Sequence, residues 1–203
     1  MALRFLFIGI DILSYAVVGI PMMLILFLPV FRTRGIKKVL LMLLFSLYLA
    51  AVWSAVGMPG MGRHWVFDPA CSLVPFAGLV SGLEERALNI LLFVPLGFLL
   101  PAIWPRFRRP GMTILTGLIL SAAIEAAQLF TFRVTDINDL ITNTMGTALG
   151  YWVSQALNRT LGLYVPEDGI YPREAEAVII ANSAVLFLVY PSLQDLFYTL
   201  LPL

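Results

Sequence analysis

The sequence predicts an all-α protein: a polytopic transmembrane helix bundle of about six spans, with both termini outside. Three observations lead there. The 203 residues are 60% hydrophobic and only 12% charged, whereas a soluble domain is about 45–50% apolar and about 25% charged. The mean hydropathy is +0.92, so a charged surface to enclose a soluble core is missing. The apolar residues also fall into runs of the length a helix needs to cross hydrocarbon, roughly 20 residues. A single transmembrane domain over residues 1–203 is expected.

The expected spans are residues 3–31, 39–57, 86–104, 112–131 and 137–157, and a sixth from near 177 past Pro191 to 200. The first is too long for a signal peptide, Asp11 interrupts it, and no small-residue cleavage site follows. The sixth is the least regular, because its clean apolar run stops at Pro191. Pro95-Leu96-Gly97 reads as a kink within the third span, since neighbouring groups can satisfy a carbonyl freed by proline. A loop between two half-spans is the alternative.

Orientation follows from the basic residues of short connections. The first, third and fifth connections hold Arg32, Arg34, Lys37, Lys38, Arg106, Arg108, Arg109, Arg159 and Arg173. The alternate side holds Arg4, Arg63, Arg86 and Arg133. The richer side is expected to face the cytoplasm, with residues 158–176 as a cytoplasmic connection in which Glu167, Asp168, Glu174 and Glu176 are solvated.

That orientation places the most polar stretch, "IEAAQLFTFRVTDINDLITN", on the outer side. Glu125 and Gln128 are three residues apart and share a helix face. Glu125 lies six residues before the end of its span, roughly 9 Å deep at 1.5 Å per residue. Asp136, Asp139 and Asn143 recur at three and four and line one face of the fifth span, which Gly146 and Gly150 extend as a G-x-x-x-G that lets two helices approach closely. Asn89 and Asp11 reach a similar level, and Arg133 sits in the turn. The expectation is a polar pocket opening outward.

Each residue carries two readings. Thr135 or Asp136 caps the fifth span, with Asp139 supporting the cap through the helix dipole, or these side chains meet a ligand. Glu125 is an ionisable group inside a span, for which function is the default, or it pairs with Arg133 to tie the turn to the helix. Gln128 and Asn143 bind ligand or join helices. Asp11, solitary in its span, takes a structural partner in preference to a catalytic role.

Other chemistry is excluded. A net charge of +1 gives no basis for nucleic-acid binding, one cysteine (Cys71) permits no internal disulfide, and one histidine (His64, read as a surface residue) permits no multi-histidine site.

"NILLFVPLGFLLP" followed by "IEAAQLF", Arg133 and "DINDLITNTMGTALG" resembles the VanZ-like family of bacterial membrane proteins. The matching positions are Asn89, Phe93, Pro95 and Gly97, then Glu125 and Gln128, then Arg133, Asp136 and Asp139, then Asn143, Thr144, Gly146 and Gly150. "SLVPF" from Ser72 resembles a short upstream element, so the resemblance covers residues 72–151. It implies a multi-pass protein of the bacterial cytoplasmic membrane. The family's namesake is associated with low-level resistance to the glycopeptide teicoplanin.

Two main functions are consistent with residues and resemblance together. One is a protein that binds or modulates an amphiphile: a membrane lipid, a lipid-linked envelope precursor or a glycopeptide. Asn89, Gln128, Arg133, Asp136 and Asn143 would be its ligand contacts. The other is a membrane-embedded hydrolase or transferase on the same substrates, with Glu125 as general acid/base and Asp139 as second carboxylate. No cofactor is expected; Asp136 and Asp139 are the place where a divalent cation would bind. A transporter is disfavoured, because the carboxylates crowd at one face.

Overall fold

A computed structural model of the chain describes residues 2–26, 35–62, 65–68, 70–72, 74–75, 82–131, 134–166 and 173–200. Among these residues the chain forms six helices: α1 (Ala2–Leu26), α2 (Ile36–Val56), α3 (Leu83–Ile103), α4 (Pro110–Gln128), α5 (Ile137–Leu161) and α6 (Glu174–Leu200). A 3-10 turn, Pro105–Arg108, links α3 to α4. The strands are β1 (Cys71–Ser72) and β2 (Thr135–Asp136), which pair in parallel with Cys71 opposite Thr135 and Ser72 opposite Asp136. The all-α expectation holds.

Among the described residues three helices are long and apolar enough to cross a membrane: α2, α3 and α4, with mean hydropathies of 2.3, 1.9 and 1.4. At 1.5 Å per residue they reach about 28–32 Å, the thickness of a hydrocarbon core. The other helices fall where spans were expected, and α1 carries a shorter apolar stretch, Tyr15–Ile25. Gly57 and Gly162, both left-handed, end α2 and α5.

The chain divides into two compact units, Met1–Trp65 with Ile170–Leu203, and Val66–Gly169. In the first, α1, α2 and α6 close around Tyr15, Met23, Ala50, Trp53, Val185 and Leu186. The Tyr15 hydroxyl donates to the Asn182 side-chain carbonyl within this core. Lys38 and Glu174 form a 2.6 Å ion pair, both side chains buried. Glu174 therefore departs from the solvated connection expected of it. It opens α6 rather than preceding it, and the first turn packs its carboxylate against the Lys38 ammonium of α2.

α6 continues through Pro191. Proline has no N–H for the carbonyl four residues back, here Phe187. The Phe187 oxygen instead accepts the Met61 N–H at 2.8 Å. Gly60 permits the approach: a Cβ there would lie 2.3 Å from Pro191 Cγ. α3 likewise stays helical through Pro95 and Pro101, so the half-span alternative is set aside.

In the second unit α3 and α5 meet backbone to backbone. A Cβ on Gly146 would lie 2.2 Å from the Ile90 oxygen, and one on Gly150 2.0 Å from the Val94 oxygen. From the other side, a Cβ on Gly97 would lie 1.9 Å from the Thr147 oxygen. The G-x-x-x-G expectation holds, with α3 as the partner. One end of the pair is closed by the 3-10 turn and the residues after α5. Tyr151 donates its hydroxyl to Arg108 O at 2.7 Å, Ser154 donates to Phe98 O at 3.0 Å, and Val165 N–H donates to Ala102 O at 2.9 Å. The Arg108 guanidinium lies 5.0 Å from the Tyr164 ring centre. Burial pushes the Tyr164 hydroxyl above its ordinary pKa range.

Candidate functional site

The opposite end of the second unit gathers the polar motif. α4 finishes with Glu125 and Gln128 buried. Phe130 N–H and Thr131 N–H donate back to Ala127 O and Gln128 O, closing the turn. After Val134 the chain enters β2, and Thr135 N–H donates to Ala70 O at 3.2 Å. Residues 66–72 run over this turn: Asp68 N–H reaches Leu129 O at 2.9 Å, and Val66 N–H reaches Phe130 O at 3.3 Å. The "SLVPF" element thus begins beside the motif, Ser72 opposite Asp136.

Glu125, only 7% exposed, takes the Asp136 N–H on Oε2 at 2.9 Å. Its own carbonyl accepts the Thr135 hydroxyl at 3.2 Å. The side chain at the end of α4 thereby fixes where α5 begins. Asp136 is the N-cap of α5: its Oδ1 accepts the Asn138 N–H and the Asn138 amide Nδ2, each at 2.9 Å. The capping reading of Asp136 holds. The physical reason is that the first N–H groups of a helix lack partners within it.

Asp139 is half-buried, and its Oδ1 accepts the Asn89 amide at 2.7 Å, bridging α5 to α3. One turn deeper, Asn143 donates its amide to Ser121 Oγ at 2.9 Å, bridging α5 to α4. Asn143 Oδ1 is buried with no hydrogen-bond partner among the described residues. Thr147, a further turn in, donates to Asn143 O at 3.0 Å, and its side chain fills the space that Gly117 leaves on α4.

The structure therefore joins Asn89 to Asp139, and Glu125 to the backbone of Asp136. It sets Gln128 buried on the Glu125 face. Arg133 and His64 lie outside the described residues, as do Glu167, Asp168 and the side chain of Asp11. Ser121 and Asn138 are participants that spacing did not single out. Ser121 stands one helical turn before Glu125, the signal that could have found it. For a cation at Asp136 and Asp139, the Oδ1 of each already holds a donor. Among the described residues no group of three or more His, Cys, Asp or Glu is placed to hold a metal.

These residues lie within the span of a known family profile. Residues 39–158 match VanZ/LLP1. The chain belongs to that family. No curated protein and no solved structure matches it. The VanZ/LLP1 match is wider than the motif block at 72–151. It takes in most of α2, both strands, α3, α4 and nearly all of α5, and with them every residue of the polar end. Three helices able to cross a bilayer, in a chain of the VanZ/LLP1 family, make this a membrane protein.

Proposed function

We propose that this VanZ-like protein is a multi-pass protein of the bacterial cytoplasmic membrane, with about six spans and both termini outside. Its polar end would face outward and bind or modulate an amphiphilic envelope ligand: a membrane lipid, a lipid-linked wall precursor or a lipoglycopeptide. The observation that carries the reading is the Asn89–Asp139 pair. It holds a half-buried carboxylate between two helices at the end of a hydrophobic bundle, where an ionisable group is a functional hypothesis by default. Arg133 would contact phosphate or carboxylate, and Gln128 and Asn143 would lie deeper. Teicoplanin-type glycopeptide resistance would follow from competition for, or alteration of, such a ligand.

The second reading is a membrane-embedded hydrolase or transferase with Glu125 as acid/base. The bond from Asp136 N–H to Glu125 Oε2 favours a positioning role for Glu125. Asp139, oriented by an amide, is then the better catalytic candidate.

The test uses cells with matched levels of wild type, Glu125→Gln, Arg133→Ala and Asp139→Asn. Surface binding of fluorescent teicoplanin and the profile of lipid-linked precursors and phospholipids are measured together. Wild type lowers drug binding or changes the lipids, and Arg133→Ala and Asp139→Asn do not. Glu125→Gln keeps an acceptor for the Asp136 N–H, so it accumulates normally; an altered lipid species made by wild type and abolished by Asp139→Asn selects the enzyme. No change in either readout with correctly inserted wild type removes the proposal.

A further inference from the structure

The same end of the second unit carries an apolar feature that the polar motif does not use. Phe67 is 63% exposed and Phe130 43% exposed, and Val66, Val74 and Val134 are exposed as well. These are not loosely hung side chains. The Phe67 and Phe130 rings lie 5.7 Å apart, and the backbone bonds from Val66 to Phe130 and from Asp68 to Leu129 fix both segments. An ordered pair of exposed phenylalanines close in sequence to the buried Glu125 calls for an apolar neighbour.

α4 identifies that neighbour. Its outward stripe runs Leu115, Ile119, Ala122, Ala126, all exposed, in steps of three and four residues. Such a face, on a helix apolar enough to span a membrane, belongs against lipid. Four residues further along lies Phe130, where the chain still turns as in a helix. The lipid-facing stripe thus continues without a break into Phe130 and, through the ring contact, Phe67. It lies at the end of the span, where the acyl chains give way to headgroups.

We infer that Phe67 and Phe130, flanked by Val66 and Val134, form a collar that seats this end of the protein in the headgroup–acyl boundary. The occupant is bilayer lipid. The collar sets the depth of the α4–α5 turn: Glu125, five residues inward of Phe130, then lies roughly 7 Å below that boundary at 1.5 Å per residue rather than in open water. Apolar faces bury only several ångströms into that boundary. The inference stands whether or not the polar end binds a ligand.

The experiment places one nitroxide at a time. In a Cys71→Ser chain, which has no other cysteine, Phe67→Cys and Phe130→Cys are labelled and reconstituted in phosphatidylcholine–phosphatidylglycerol vesicles. Ile119→Cys, on the lipid stripe, gives the deep reference, and Glu84→Cys, exposed in the first turn of α3, gives the aqueous one. Collision rates with oxygen and with a water-soluble nickel chelate are compared. At positions 67 and 130 oxygen collisions exceed chelate collisions, with a ratio between those of the two references. A ratio equal to that of Glu84→Cys at both positions overturns the collar. So does dipolar broadening that disappears on dilution with unlabelled protein, because the patch would then cover a second copy. Gel filtration and circular dichroism of each labelled variant are compared with those of the Ile119→Cys reference, so a misfolded sample is distinguished from a wrong inference.

Discussion

In the second unit α3 and α5 touch through their backbones, with Gly97, Gly146 and Gly150 leaving room for carbonyl groups. In the first unit α1, α2 and α6 are held apart by large side chains, among them Tyr15, Met23 and Trp53. Lipid is as apolar as a leucine core, so helices in a membrane gain little by hiding apolar surface from one another. Close backbone packing is one answer, and filling the space with shaped side chains and a few internal polar bonds is the other. The contrast extends to charge. Among the described residues the second unit holds Glu125, Asp136 and Asp139 at one end, on backbone N–H groups and amides. The first buries a complete ion pair, Lys38 with Glu174.

The most severe test of this contrast is Gly146→Leu. Its Cβ would meet the Ile90 carbonyl at 2.2 Å, and backbone cannot step aside as a side chain can. The expected loss exceeds about 4 kcal/mol, a range few substitutions reach, and is measured as absence of folded protein in detergent extracts. Gly111→Ala on α4 has nothing within 4 Å of its new Cβ and should accumulate like wild type. If both behave alike, the backbone seam is not what holds α3 to α5.

Next in size is Lys38→Met, which leaves the Glu174 carboxylate buried without its ammonium. Breaking such a pair from one side typically loses about 3 kcal/mol or more, whereas replacing both partners by apolar groups is often close to neutral. Lys38→Met with Glu174→Leu should therefore recover most of the thermal stability lost by Lys38→Met alone. Failure of that rescue would mean the pair has a role beyond neutralising its own charges.

Gly60→Ala should lose about 1–3 kcal/mol by pressing on the Pro191 ring. Adding Pro191→Ala should restore part of it, a coupling that a double-mutant cycle reads directly. Additive losses would show that the two residues do not share the contact. The smallest effect is expected at the N-cap: Asp136→Ala should lower stability by about 1 kcal/mol, with Asp136→Asn close to wild type. If Asn fares no better than Ala, the carboxylate is needed for something other than capping.

Composition and apolar run length were enough to find the helices, because crossing hydrocarbon leaves few alternatives. Spacing of three and four placed Asp136, Asp139 and Asn143 on one face of α5, and the G-x-x-x-G announced a tight contact. The partner of that contact was not legible. Gly97 read as part of a proline kink, yet it receives the Thr147 carbonyl. Glu125 read as an acid/base or a partner for Arg133, and its Oε2 accepts a backbone N–H eleven residues on. Such bonds depend on how a turn closes, which side-chain periodicity does not encode. The β1–β2 pairing was equally silent, since two residues carry no pattern. Glu174 misled for a related reason: an acidic residue before an apolar run looks solvated until the ammonium of another helix comes alongside.

The Met61–Phe187 bond bears on how the protein is made. α6 is synthesised after every other helix described here, and as a lone segment it would present a carbonyl at Phe187 that Pro191 cannot satisfy and a Glu174 without the Lys38 ammonium. Lys38 and the Met61 N–H, which answer both, are already in place on earlier-made segments. α6 is thus a helix whose two costly groups are answered by segments made before it.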